Sequence, residues 1–179
     1  MKSKSKANPF ATFACVALLG AVTLPFDVNA FETQKLDDFK TTNVCKYCDL
    51  TNAPLSSKDM KGADFQNANL SGADLSKADL SPRVMEKRTL NSNFESSNLR
   101  KADLRQANLF GANFTSAYLR ETLLDGADLT QANLSGANLK NATLKGTVLK
   151  GANLEAAKLD DAVFCNTTMP DGSVNNTGC

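Results

Sequence analysis

Histidine and tryptophan are missing from all 179 residues, and tyrosine occurs only twice. Without histidine the chain lacks the commonest general base and the commonest metal ligand. Neither sign of charge is in excess: 20 Lys and Arg stand against 19 Asp and Glu. Without the first 30 residues, which hold Lys2, Lys4, Lys6 and Asp27, 17 basic residues face 18 acidic ones. Such balance creates no strong field for nucleic acid or a lipid surface. No catalytic constellation, metal-ligand set or cofactor motif stands out, so the expectation is a protein that is not an enzyme and carries no cofactor.

Residues 1–30 read as a secretory signal. Lys2, Lys4 and Lys6 form a basic start, Phe10 to Leu24 an apolar run, and Val28-Asn29-Ala30 a small-residue cleavage site. The run is broken by Gly20, followed by Pro25, and is shorter than the ~20 residues a membrane span needs. Export without membrane insertion after signal removal is therefore expected.

The body of the chain repeats one pattern: a small residue, Asn or Asp, Leu, then two variable residues. Gly126-Ala-Asp-Leu-Thr-Gln-Ala-Asn-Leu-Ser-Gly-Ala-Asn-Leu139 shows it without interruption. In an α-helix every fifth residue advances by roughly 140°, so the leucines would spiral over all faces. In a strand an odd period sends successive leucines to opposite faces. Only a chain that turns once per repeat can aim every leucine at a common axis. That is a solenoid, in which stacking supplies the core that no single unit owns.

Ala127-Asp128-Leu129, Ala132-Asn133-Leu134 and Ala137-Asn138-Leu139 resemble the pentapeptide-repeat family. The resemblance implies an all-β fold: a right-handed, quadrilateral β-helix with four pentapeptides per coil. In it the central Leu or Phe and the Ala two before it point inward, and the other three positions face solvent. Burial favours Leu and Ala, and Asn, Asp, Ser and Gly suit turns. Glycines such as Gly62 and Gly126, two residues after a centre, permit positive φ.

Residues 31–47 do not follow the rule. The three-residue spacing of Leu36 and Phe39 suits a short amphipathic helix, expected as an N-terminal cap on the exposed solenoid end. The β-helix is expected over 48–164, with centres at Leu50, Leu55, Met60, Phe65, Leu70, Leu75 and Leu80, then every fifth residue from Phe94 to Phe164. Counting Met85 and Leu90 as centres makes 24 repeats, or six coils, about 29 Å long at a strand spacing of ~4.8 Å. Residues 81–93 are irregular: Arg83 and Arg88 stand in inward slots, Pro82 lacks a backbone donor, and Leu80 to Phe94 falls one short of three repeats. A bulged corner or external loop is expected there. Residues 165–179 form a polar C-terminal cap in which Met169, Val174 and Cys179 keep the phase and are expected to fold over the last coil.

Cys15 leaves with the signal; four cysteines remain, and disulfides are the default in an exported chain. Cys45 and Cys48 lie at one end of the rod and Cys165 and Cys179 at the other. A Cα limit of roughly 7 Å makes the pairs local or intermolecular, and the same distance excludes a four-cysteine zinc site. Cys165–Cys179 is the leading expectation; whether Cys45 bonds Cys48 stays open. Cys45-x-x-Cys48 also has the spacing of a thiol redox motif, though such motifs begin a helix in a βαβ unit.

With 20 residues per coil, Arg100, Arg120 and Lys140 stack into a basic column closed by Asp160, a candidate site for an anionic partner. Arg105, Asp125 and Lys145 alternate in sign. Leu123, Thr143 and Val163 take slots usual for Asn or Asp, with Val148 on the adjoining face; Leu123, Val148 and Val163 form a candidate protein contact near the C-terminal end, suited to self-association. The signal, the Cys-x-x-Cys-Asp-Leu entry and the Asn166-Thr-Thr-Met-Pro-Asp-Gly tail resemble the exported pentapeptide-repeat proteins of cyanobacteria and the chloroplast lumen. That implies a non-enzymatic structural or protein-binding module in the periplasm or thylakoid lumen. Two alternatives come from other classes. One is a DNA-mimicking, gyrase-binding rod, a role that suits a more acidic surface. The other is a Cys-x-x-Cys thiol oxidoreductase.

Overall fold

The structure, a computed structural model, describes residues 43–179. The signal 1–30 and residues 31–42 of the expected cap lie outside the described residues. No helix forms among the described residues, so the helical cap finds no support there. The last residues assigned to it already belong to the rod: Val44 bridges Asp64 in parallel, and Cys45 is buried at a central position. The solenoid therefore already includes residues 44–47, ahead of the expected start at 48.

Each turn of chain makes four isolated parallel bridges, one per side. One column runs Val44, Asp64, Asn93, Asn113, Asn133, Asn153; the next runs Asp49, Asn69, Asn98, Tyr118, Asn138, Lys158. The third runs Pro54, Asp74, Asp103, Leu123, Thr143, Val163, and the fourth Asp59, Asp79, Asn108, Asp128, Val148, Thr168. Each side is thus too short to be a strand of its own, and the result is a four-sided β-helix whose central residues fill the axis. Leu50 to Leu80, Phe94 to Leu149, and the alanines two before them are almost fully buried.

The corners explain the pattern. The N–H three residues after a centre donates to the centre's carbonyl, as from Ala127 to Leu124 at 2.9 Å. The residue two after the centre has positive φ, +71° at Gly126 and +59° at Gln131, as a type II turn requires. The outward Asn or Asp before each centre accepts the N–H two residues on: Ser135 to Asn133 Oδ1 at 3.1 Å, Thr130 to Asp128 Oδ1 at 2.9 Å. This local bond is the physical reason for Asn and Asp in that slot.

Of the Ser and Thr residues that replace the inward Ala, Ser92 Oγ is buried without a partner among the described residues, and the hydroxyls of the others find a carbonyl. Thr122, Thr147 and Thr167 reach back a coil to Leu99, Leu124 and Leu144, at 2.7, 2.8 and 2.5 Å. Ser97 bonds Phe94 within its own corner at 2.7 Å. These bonds make polar side chains tolerable in the core. Along one side Phe65, Phe94 and Phe114 stack, with centroids 5.3 and 4.7 Å apart.

Residues 81–93 correct the count of repeats. Arg83–Met85 (β1) and Arg88–Leu90 (β2) form an antiparallel hairpin with Val84 opposite Thr89. Met85 is exposed and Leu90 only half-buried, so neither is a centre. Ser92 is already back inside, and Phe94 follows Leu80 as the next centre. Pro82 is the cause: it stands two after a centre, where φ must be positive, and proline is held near −65°. Unable to turn the corner, the chain leaves and returns. Stacked partners across this coil are 29 residues apart instead of 20. Arg83 and Arg88 both project from the hairpin into solvent.

At the C-terminal end Thr167–Thr168 (β3) pairs with Val174–Asn175 (β4). Met169 packs against the core, but Val174 is exposed rather than folded over the last coil. β3 continues the solenoid through the Val148–Thr168 bridge, which holds Met169 in place; β4 is the outer strand of a small hairpin.

Candidate interaction surfaces

The cysteines form two clasps, Cys45–Cys48 and Cys165–Cys179, with Cα atoms 5.4 and 4.9 Å apart. The first sits in the opening corner. The second ties the chain end to the last coil, and the tail lies so close that a Cβ added at Gly178 would be 2.9 Å from Val163 Cγ1 and 2.7 Å from the Phe164 carbonyl.

Arg100, Arg120 and Lys140 stack on one corner, with Arg100 exposed and the other two half-buried. The neighbouring column partly neutralises them. Arg120 lies 3.6 Å from Glu121, Lys140 3.6 Å from Asp161, and Lys101 3.7 Å from Glu121. Sequence reading followed the column one after each centre and missed the column two after it, although the same spacing of 20 places Lys101, Glu121, Asn141 and Asp161 there.

Arg105 does not pair along its column. It turns to Asp103 of its own repeat, Nη2 to Oδ2 at 2.6 Å and Nε to Oδ1 at 2.9 Å. These bonds hold the Asp103 carboxyl below its ordinary range against partial burial, and raise the guanidinium's pKa. Burial pushes the Asp79 carboxyl up, but hydrogen bonds from Ser81 and Lys61, with the Lys61 charge, leave it lowered. Both carboxylates therefore favour the fold above about pH 4 and lose that contribution as the pH falls through their depressed values. Asp125 instead accepts the Lys145 N–H at 2.9 Å. That bond replaces the one Thr143 does not make from the Asn slot.

Leu123, Val148 and Val163 are each half-buried and lie on two adjoining columns. Thr143 separates Leu123 from Val163, and the tail packs on Val163, so the three do not make one open patch. Tyr118, which sequence reading passed over, fills an outward Asn slot and is exposed. Its signal was an aromatic side chain where the repeat calls for Asn.

The C-terminal end is open on two sides. Leu154, Ala157, Leu159 and Ala162 pack against the core but are only partly buried. Earlier centres donate to the following coil, as Leu134 does to Asn153 at 2.8 Å. The N–H groups of Leu154 and Leu159 have no backbone acceptor among the described residues. The tail and β3–β4 cover the other two sides. Among the described residues no group of His, Cys, Asp and Glu could hold a metal ion.

The profile of a family described as pentapeptide repeats matches the chain in eight copies, over residues 45–81, 91–126 and 112–151, more than half of its length. Similar solved structures include a pentapeptide repeat protein from the thylakoid lumen of Arabidopsis thaliana, 27% identical, TM-score 0.44, covering 65% of this chain and 72% of that one. HetL, a pentapeptide repeat protein involved in heterocyst differentiation regulation in the cyanobacterium Nostoc, is 31% identical, TM-score 0.41, with coverage of 74% and 66%. Rfr23 from the cyanobacterium Cyanothece is 29% identical, TM-score 0.41, with coverage of 73% and 92%. No curated protein matches the chain. The matched repeats coincide with the coils of the right-handed quadrilateral β-helix described above, and the chain belongs to the pentapeptide-repeat family.

Proposed function

We propose that the chain is a non-enzymatic protein-interaction module, exported to an oxidising compartment such as the periplasm or thylakoid lumen, that self-associates through its C-terminal end. The observation that carries this reading is the half-covered last coil. Partly exposed Leu154 and Leu159, whose backbone N–H groups have no acceptor among the described residues, form an edge that favours pairing with another chain. The clasps at both ends, and the basic start, apolar run and Val28-Asn29-Ala30 site of residues 1–30, support an oxidising destination.

Other readings have less support. Arg100, Arg120 and Lys140 interrupt any acidic face suited to DNA mimicry. Cys45 is almost fully buried, whereas a catalytic thiol must be reached by its substrate. Sedimentation of the chain without residues 1–30 tests the proposal. A dimer is expected, and a Leu154→Lys, Leu159→Lys variant should run as a folded monomer. A parent chain that stays monomeric at high concentration would remove self-association. Non-reducing peptide mapping of the exported protein should recover Cys45 with Cys48 and Cys165 with Cys179; free thiols would remove the oxidising destination.

A further inference from the structure

The hairpin β1–β2 leaves the ladder between coils in register. Across the insertion Phe65 N–H reaches the Asn93 carbonyl at 2.7 Å, and across an ordinary coil Phe94 N–H reaches Asn113 at the same 2.7 Å. The ladder beyond the insertion thus keeps its ordinary length, although the corner at Leu80 lacks the bond to the centre's carbonyl that corners such as that at Leu124 make. The inserted residues nevertheless form a defined arm. Its root sits on the preceding corner so closely that a Cβ at Gly62 would lie 2.8 Å from Arg83 Cβ and 2.8 Å from the Leu90 carbonyl. Gly62 also holds φ at +63°, so a residue with a side chain is doubly disfavoured there.

Beyond its root the arm is bare. Val84 is 79% exposed and Met85 42%. Arg83, Glu86, Lys87 and Arg88 enter no ion pair or side-chain hydrogen bond among the described residues. Among the described residues each strand pairs only with the other, so both outer edges are open there. In an antiparallel pair the residues that close a two-residue turn exchange hydrogen bonds, and the next pair turns its N–H and C=O outward. Met85 and Arg88 close the turn here, which leaves Val84 and Thr89 with outward backbone groups. An isolated two-stranded hairpin is only marginally stable and gains from a third strand.

We propose that this arm docks an extended acidic segment of a partner protein, which adds to one edge of the hairpin by main-chain hydrogen bonds and places its carboxylates against Arg83, Lys87 and Arg88. The inference rests on reading the chain as a protein-interaction module. Charge selects the occupant. The arm carries three cations against Glu86 alone, while the whole chain has a net charge of only +1. A second copy of the arm would bring like charge to the same edge and be repelled. Strand addition supplies affinity through the backbone and selectivity through side chains at alternate positions, so the small apolar contribution of Val84 and Met85 is sufficient.

The test compares the full chain with a variant lacking Arg83–Asn91 and carrying Pro82→Gly, which restores the five-residue spacing and a residue able to take positive φ at the corner. The probes are a fluorescent peptide of alternating Glu and Val and its Lys–Val counterpart. The parent should bind the Glu–Val peptide at least about tenfold more tightly than the deletion variant does. Binding should weaken with salt and slow amide exchange at Val84 or Thr89. Arg83→Glu with Arg88→Glu should reverse the preference between the peptides. Equal binding by the deletion variant, no binding by the parent, or arm-dependent capture of phosphatidylglycerol vesicles in place of the peptide would each overturn the proposal. Self-association through Leu154 and Leu159 does not involve the arm. If the parent and the deletion variant both dimerise while the parent fails to bind the peptide, the arm proposal falls and the interaction-module reading stands.

Discussion

Leu134→Asp should abolish the cooperative thermal transition, or cost at least about 4 kcal/mol of stability, whereas Asn133→Asp should cost less than about 1 kcal/mol. The two residues are adjacent and face opposite ways. Leu134 is 1% exposed on the axis, in the column above Phe114. A carboxylate there would be charged without a partner, or protonated without a hydrogen-bond acceptor, and both states are costly in an apolar core. Stacking cannot relax around it, because the coils on either side are bonded to this one: Phe114 N–H donates to Asn133 at 2.7 Å and Leu134 N–H to Asn153 at 2.8 Å. Asn133 instead faces solvent. Aspartate would keep the acceptor for the Ser135 N–H and lose only the 3.0 Å donation to Thr115 Oγ1. Circular dichroism melts of the two variants decide the matter, and similar losses in both would contradict the inward and outward assignment.

Phe94→Ala is expected to cost about 3–5 kcal/mol, more than any alanine substitution on the arm. Phe94 is fully buried between Phe65 and Phe114, and its ring lies only 5° from the plane of Phe114. Truncation removes both ring contacts and leaves a cavity in the middle of the column. The position has a second importance, since it is the first centre after the chain returns from β2. Phe94→Leu, which keeps most of the volume, should recover at least half of the loss. Val84→Ala, on the exposed arm, should stay within about 0.5 kcal/mol of the parent. Urea unfolding midpoints of the three variants provide the comparison. A Phe94→Ala midpoint equal to that of the parent would mean that the column is not a packed core.

The five-residue period was enough to establish that the chain is a solenoid, because neither a helix nor a strand can bury Leu129, Leu134 and Leu139 on one side. It also separated inward from outward positions, since that choice is made within each repeat: the centre is apolar, and the Asn or Asp before it bonds the N–H two residues on. The cysteines could be assigned to the two ends for the same reason, because distance along a rod follows distance along the chain. What the period could not decide is how coils meet. The 14 residues from Leu80 to Phe94 divide as readily into nearly three repeats as into one repeat and an arm. Pro82 held the clue, but only the finding that every other corner in that position has positive φ makes a proline there prohibitive. Tertiary structure likewise decided that Glu121 and Asp161 answer Arg120 and Lys140, that Arg105 turns to Asp103, and that the tail rests on Val163 while Val174 stays exposed. These are contacts between neighbouring columns and coils. They depend on side-chain reach across the stack, and a repeat read along the chain carries no record of that reach.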